Sequence, residues 1–135
     1  MNDEVNEVSF SATDYPITVA EVLQASEMLD RLLSWEERDQ LVDCLAYQPD
    51  VGEHLVGGSG VRFNVFEFGD GEACRDVTVV YLFHDLNMPL YVLAVYEGEK
   101  VFRPESDEEE TVNNLAAGIV HNWIKGAKKR AASKT

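Results

Sequence analysis

The sequence predicts one α+β domain, on three observations. Residues 23–47 and 106–126 carry apolar side chains at helical spacing. Residues 57–97 hold three apolar runs of strand length, separated by turn signals. The chain of 135 residues, 45% hydrophobic and 27% charged, is long enough to bury one core without disulfides or a metal.

Residues 1–15 are polar and acidic and are expected to form a flexible acidic tail, with the domain spanning 16–126. Ile17 to Val22 reads as a short strand or as the lead-in to a helix. From Leu23 to Leu33, the side chains of Leu23, Met28, Leu29, Leu32 and Leu33 make one apolar helical face. Ser34 with Glu37 three residues on is the capping-box arrangement. A second helix is therefore expected over Trp35–Tyr47, with Leu41, Val42 and Leu45 inward and Pro49 stopping it. HLVGGSG, residues 54–60, reads as a turn. It leads into a strand, so its glycines do not match a phosphate-cradling loop, which opens a helix.

Val61–Phe68 and Val77–Phe83 then read as a hairpin around GDGEACRD. In its second strand Val77, Val79 and Tyr81 point one way, and Thr78, Val80 and Leu82 the other. Both sets are largely apolar, which predicts a central strand. After the turn HDLNMP, the run LYVLAVYE (90–97) completes an antiparallel meander. GEKVFRP (98–104) is a connection or a short edge strand, so the sheet is expected to be antiparallel with three to four strands. Ser106 and Glu109 repeat the capping box before a final helix that carries Val112, Leu115, Ala116, Ile119, Val120 and Trp123 on one face. That helix is expected to end near Gly126, leaving 127–135 as a basic C-terminal tail.

Charge narrows the function classes. There are 25 acids and 11 bases, for a net charge of −14. Five of the bases, Lys125, Lys128, Lys129, Arg130 and Lys134, lie in the last eleven residues, leaving six bases against all 25 acids in the rest. Most of such a body repels a phosphate backbone, and a partner is expected to be basic. No apolar run is long enough to span a bilayer, and MNDEVNEV lacks the features of a signal peptide, so the chain is expected to be cytoplasmic and to use no membrane. Cys44 and Cys74 have neither CxxC nor His spacing, so no disulfide, metal or cofactor is expected.

No P-loop, HExxH or GxSxG motif is present. His54 and His84 fall in expected turns and flank the meander; they would serve as acid or base only if they converged. His121 falls on the last helix. Arg62 lies between Val61 and Phe63 in a strand and points opposite to both, either as a structural ion-pair partner or as an anion clamp. Tyr81, Tyr91 and Tyr96 could stack on bases, but strands this apolar favour packing.

The run LLSWEERDQLVDCLAYQPDVGEHLVGGSGVR, followed by TVVYLF and LYVLAVYEGEK, resembles the RelE/HigB-type toxins of bacterial toxin–antitoxin systems, over about residues 17–110. That resemblance implies a compact α+β fold of the microbial-ribonuclease kind. It implies a toxin that cleaves mRNA in the ribosomal A site without a metal, and an antitoxin that wraps it. Pro49, Gly52, Gly57, Gly60, Arg62, Tyr81 and Tyr96 fit the family pattern. The cationic positions mostly do not. Phe63 stands where the family has a lysine after the turn arginine, and Val65 where it has a further base. The basic hairpin loop is GDGEACRD, with Arg75 alone. Thr78 replaces the arginine that opens the next strand, and Leu82 the second tyrosine of a pair. Gly98 replaces the lysine after the last strand's tyrosine, with Lys100 two residues on.

Two functions are therefore expected in competition. The first is a non-catalytic binding module on a toxin-like scaffold, whose Asp70, Glu72 and Asp76 recognise a basic partner such as an antitoxin or another basic protein. The alternative is an active ribosome-dependent mRNA interferase. In it Arg62 and Arg75 would hold phosphate, Tyr81 would position a base, His84 or Lys100 would move protons, and Tyr96 would complete the set. Either a monomer or a homodimer fits, because the apolar strands could leave a face for a mate.

Overall fold

The computed structural model describes residues 16–55, 60–102 and 106–133. The tail expected over 1–15 and the glycines at 57 and 58 lie outside the described residues. The chain runs β1 (Val19–Glu21), α1 (Leu23–Leu32), α2 (Trp35–Tyr47), β2 (Glu53–His54), β3 (Val61–Phe68), β4 (Arg75–Leu82), β5 (Leu90–Glu97) and α3 (Asp107–Ser133). A single turn of 3-10 helix, Gly71–Ala73, joins β3 to β4. The strands form one sheet in the order β1-β5-β4-β3-β2. α1 and α2 cover one face and α3 the other.

The sheet has five strands and is mixed, which corrects the expected antiparallel sheet of three to four. β1 pairs parallel to β5 through Val19–Glu21 and Leu90–Val92. Its sequence is too short for periodicity to assign; pairing and the link from Ile17 N–H to the Ala46 carbonyl fix it instead. β2 adds two residues opposite Arg62 and Phe63, so His54 is in a strand and not in a turn. Residues 98–102 form no strand beyond a single bridge from Gly98 to Val77.

The central strand is where expected, but it runs Arg75–Leu82 rather than Val77–Phe83, because Arg75 and Asp76 pair with Phe68 and Glu67 and so belong to the ladder and not to the loop. β4 is buried without a break from Val77 to Leu82. Val77, Val79 and Tyr81 pack with Leu29, Leu41 and Leu45 under α1 and α2. Val80 and Leu82 pack with Val61, Val112 and Ala116 under α3. The strict alternation of a strand thus builds two cores from one run of sequence. In β5 the alternation breaks, because Tyr81 pairs with Val92 while Val80 pairs with Ala94. Leu93 is the extra residue of a bulge, which bends a strand and re-aims its side chains. Leu93 and Ala94 accordingly both face α3, and Val95 returns to the α1 side with Val92.

Ser34 caps α2 as expected: its hydroxyl accepts from Glu37 N–H at 3.1 Å and the Glu37 carboxylate accepts from Ser34 N–H at 3.0 Å. Arg38 then ties three elements together. Its guanidinium reaches Glu21 of β1 at 2.5 Å, Ser26 of α1 at 2.9 Å, and Asp30 at the far end of α1. Leu23, expected on the inner face of α1, is exposed, and Ala25 is buried in its stead. The chain has just left β1 at Leu23, so the first inward position falls two residues later.

α3 continues through Ser133, past the expected end at Gly126 and into the stretch expected to be a tail. Ala127, Lys128, Lys129, Arg130 and Ala131 are strong helix formers, and basic residues suit a helix C-terminus. One interior glycine, at about 1 kcal/mol, does not outweigh them. No helix among the described residues is long and apolar enough to cross a membrane. Replacing Ser34 by alanine should lower stability by about 1 kcal/mol, and Leu45→Ala by about 2–5 kcal/mol, read as shifts in the urea unfolding midpoint.

Candidate functional site

Pro49, Gly52, Arg62 and Tyr81, four of the residues singled out in the sequence, come together at the loop between α2 and β2. After Tyr47 the chain turns through buried Pro49, and Val51 N–H bonds to the Gln48 carbonyl at 3.1 Å. Gly52 then lies against the sheet. Its N–H donates to the Tyr81 hydroxyl at 2.8 Å, and its carbonyl accepts from Arg62 Nη1 at 2.9 Å. The same nitrogen reaches the Asp50 carbonyl at 3.2 Å. A Cβ on Gly52 would sit 2.6 Å from the Phe63 carbonyl oxygen and 2.9 Å from the Tyr81 hydroxyl, closer than any side chain tolerates. Arg62 and Tyr81 are direct cross-strand partners. The three residues form a lock between loop and sheet.

That lock leaves little for a ligand. Tyr81 is fully enclosed, and its ring offers no face to a base. Burial pushes its hydroxyl up to about 12, partly opposed by the Gly52 N–H and the charge of Arg62. The Arg62 guanidinium faces backbone carbonyls of its own chain.

The other expected residues lie elsewhere. Arg75 is on the same face of β4 but six residues along, roughly 20 Å away at the rise of a strand. Its Nη2 donates to the Leu32 carbonyl at 2.9 Å and to the Glu37 carboxylate at 2.5 Å, joining the hairpin to the α1–α2 turn. The Ser34 backbone N–H, and then Arg75, hold the Glu37 carboxyl below its ordinary range. Tyr96 and Lys100 are on the opposite face, under α3. Lys100 Nζ pairs with Glu108 at 2.7 Å and lies 5.4 Å from the centre of the Tyr96 ring, which meets Phe102 edge-on at 5.9 Å. Burial, and then the Glu108 charge, raise the Tyr96 hydroxyl. Thr78 is buried. Its hydroxyl donates to the Gly98 carbonyl at 2.7 Å and accepts from Lys100 N–H at 2.9 Å.

The sheet therefore separates Arg62 and Tyr81 from Tyr96 and Lys100. His84, beyond the end of β4, is exposed, with Nε2 3.8 Å from the Asp85 carboxylate. His54 is exposed on β2. Among the described residues, no group of three or more His, Cys, Asp and Glu side chains is placed to hold a metal ion.

The acids do gather. Asp70 and Glu72 are exposed at the hairpin tip, and Asp76 is half-buried at the start of β4. Glu67, which sequence reasoning missed, is exposed and directly opposite Asp76. The signal was present: Glu67 stands between Phe66 and Phe68, and pairing Phe68 with Arg75 sets the two carboxylates face to face. A hydrogen bond to Glu67 raises the Cys74 thiol first, desolvation adds to that, and the charges of Glu67, Asp76 and Asp70 come after.

No protein-family model matches the chain, and no curated protein matches it in sequence.

The buried phenol gives a pH dependence. An unfolded tyrosine ionises at its ordinary value of about 10, whereas Tyr81 keeps its proton to about 12. Its contribution is intact below the lower value and lost as pH rises towards the higher one. Tyr81→Phe should flatten that alkaline loss, while costing about 1–3 kcal/mol at neutral pH by leaving the Gly52 N–H unpaired. Urea unfolding of both proteins across the alkaline range measures both effects, and a wild-type curve parallel to that of the variant contradicts the assignment.

Proposed function

We propose that the chain is a non-catalytic binding module, on a scaffold resembling the RelE/HigB-type toxins, that recognises a basic segment of another protein. One observation carries the reading. The cations at candidate catalytic positions are engaged within the chain, Arg62 by carbonyls, Arg75 by Glu37 and Lys100 by Glu108, while the hairpin tip presents carboxylates. Cleavage of RNA needs cationic groups converging on one phosphate, to hold it and to stabilise the charge that develops there. Here the candidates stand on two faces of the sheet and beside acids.

Glu67, Asp70, Glu72 and Asp76 supply the complementary surface for lysine or arginine. Rim charges of this kind act mainly through association rate and are screened by salt. An arginine-rich peptide titrated calorimetrically should bind, and weaken steeply between low and high salt. The double variant Asp70→Lys/Glu72→Lys should weaken it about tenfold or more. Binding indifferent to salt and to the charge reversal sinks the proposal.

The interferase alternative has its own readout. Induced expression in a bacterial host should leave growth and mRNA 5′ ends unchanged. Growth arrest with codon-phased cuts, abolished by Lys100→Ala or His84→Ala in folded protein, establishes a nuclease. Arg62 and Tyr81 are poor probes here, since changing them opens the lock on the Gly52 loop.

A further inference from the structure

β5 is eight residues long, but β1 pairs with only its first three. The last bond between them runs from Val22 N–H to the Val92 carbonyl at 3.1 Å, and the chain then leaves as α1. Among the described residues, Leu93–Glu97 has no strand on that side. An unpaired strand edge is a template for another strand. This edge is also walled. Gln24, Ala25 and Met28 of α1 and residues 93–96 of β5 line a cleft of about 200 Å³. The bulge at Leu93, a feature that bends a strand, lies where β1 departs and at one end of the cleft's β5 wall.

We infer that this edge takes an extended, lysine- or arginine-bearing segment of another protein as a sixth strand, in line with β1 and beside Leu93–Glu97. The inference rests on the reading above and adds its binding mode. Charge selects the occupant. Glu27, next to Met28 on α1, Glu97, next to Tyr96 on β5, and Glu99, two residues beyond, are exposed. Two copies of the chain pairing through this edge would bring those carboxylates together, with a net charge of −14 on each chain. A basic segment meets the same acids favourably. The strand's far end also leads towards the acidic hairpin. Thr78 pairs with Tyr96, and Gly98 N–H bonds to the Asp76 carbonyl at 2.8 Å. A segment of five residues along β5 would run about 17 Å and finish close to that carboxylate cluster. Main-chain bonds would give affinity, and the flanking acids would select basic side chains.

The test uses the full chain and a blocked peptide alternating lysine with valine. A second peptide carries N-methyl groups on alternate backbone nitrogens, and a third has glutamate in place of lysine. Amide hydrogen exchange is read residue by residue, with affinity by calorimetry and mass by sedimentation. The lysine peptide should slow exchange within residues 93–97. N-methylation should weaken it about tenfold through the lost main-chain bonds, and glutamate should abolish binding. The variant Gln24→Arg, which puts a like charge in the cleft wall at an exposed position, should weaken the lysine peptide without altering the unfolding midpoint. Because the N-methyl peptide probes the same bonds without changing the protein, a misfolded variant leaves the test intact.

Salt-sensitive binding that leaves 93–97 unprotected overturns this edge but not the basic-partner reading. No binding by any basic peptide overturns both. Protection that grows with protein concentration alone assigns the edge to a second copy, and protection lost on removing residues 1–15 assigns it to the chain itself. Either result overturns the inference.

Discussion

A single buried hydroxyl holds the loop between α2 and β2 against the sheet. Tyr81 accepts the Gly52 N–H, and Arg62 beside it takes the Gly52 and Asp50 carbonyls. The loop's buried polar groups thus find partners in the sheet, where unpaired they would oppose folding. Because Gly52 has no Cβ, the loop can come close enough to make those bonds. β2 follows directly and adds its two residues to β3. The end of α2, the entry of β2 and the register of β3 on β4 therefore depend on one another.

The same arrangement explains why a match to a family's residue pattern need not carry that family's chemistry. Arg62 and Tyr81 fit a pattern associated with RNA cleavage, yet in this chain both have structural uses at the Gly52 loop, although the buried Arg62 Nε has no hydrogen-bond partner there. The residues on the other side of the sheet have theirs: Thr78 fastens the 98–100 connection, and Lys100 joins Tyr96 to the first turn of α3. A strand with two buried faces can carry a residue of each kind at adjacent positions, and adjacency in sequence then means separation by the thickness of the sheet. Function lives in the site and not in the scaffold.

Much of the fold was legible because it rested on local rules. The Ser34–Glu37 cap, the bounds of α2, β3 and β5, and the two faces of β4 followed from spacing and turn chemistry. What escaped depended on pairing or on weak signals. β1 is three residues and β2 two, too short to show a period, and each exists through its partner strand. The bulge at Leu93 leaves no mark in a uniformly apolar run. The end of α3 was misplaced because one glycine looked like a stop, when alanine and lysine beyond it favour continuation. At the site, the acids of the tip were visible, but Glu67 joined them only once Phe68 was set opposite Arg75.

The opposition of Glu67 and Asp76 carries more weight than the count of acids. Like charges directly across a hairpin are unfavourable, so this pair works against the hairpin that contains it. Elsewhere the local choices agree with the fold: caps, alternation, a glycine where only glycine fits. A local rule broken at an exposed tip, within a domain that otherwise keeps such rules, is where a functional surface is expected. A cation bound there would turn the repulsion into attraction, so the hairpin would gain stability as it gained a partner. Arg75 cannot supply that cation, since it lies on the other face of β4 and is held by Glu37 and the Leu32 carbonyl. The proposed basic partner would supply the charge that relieves the pair.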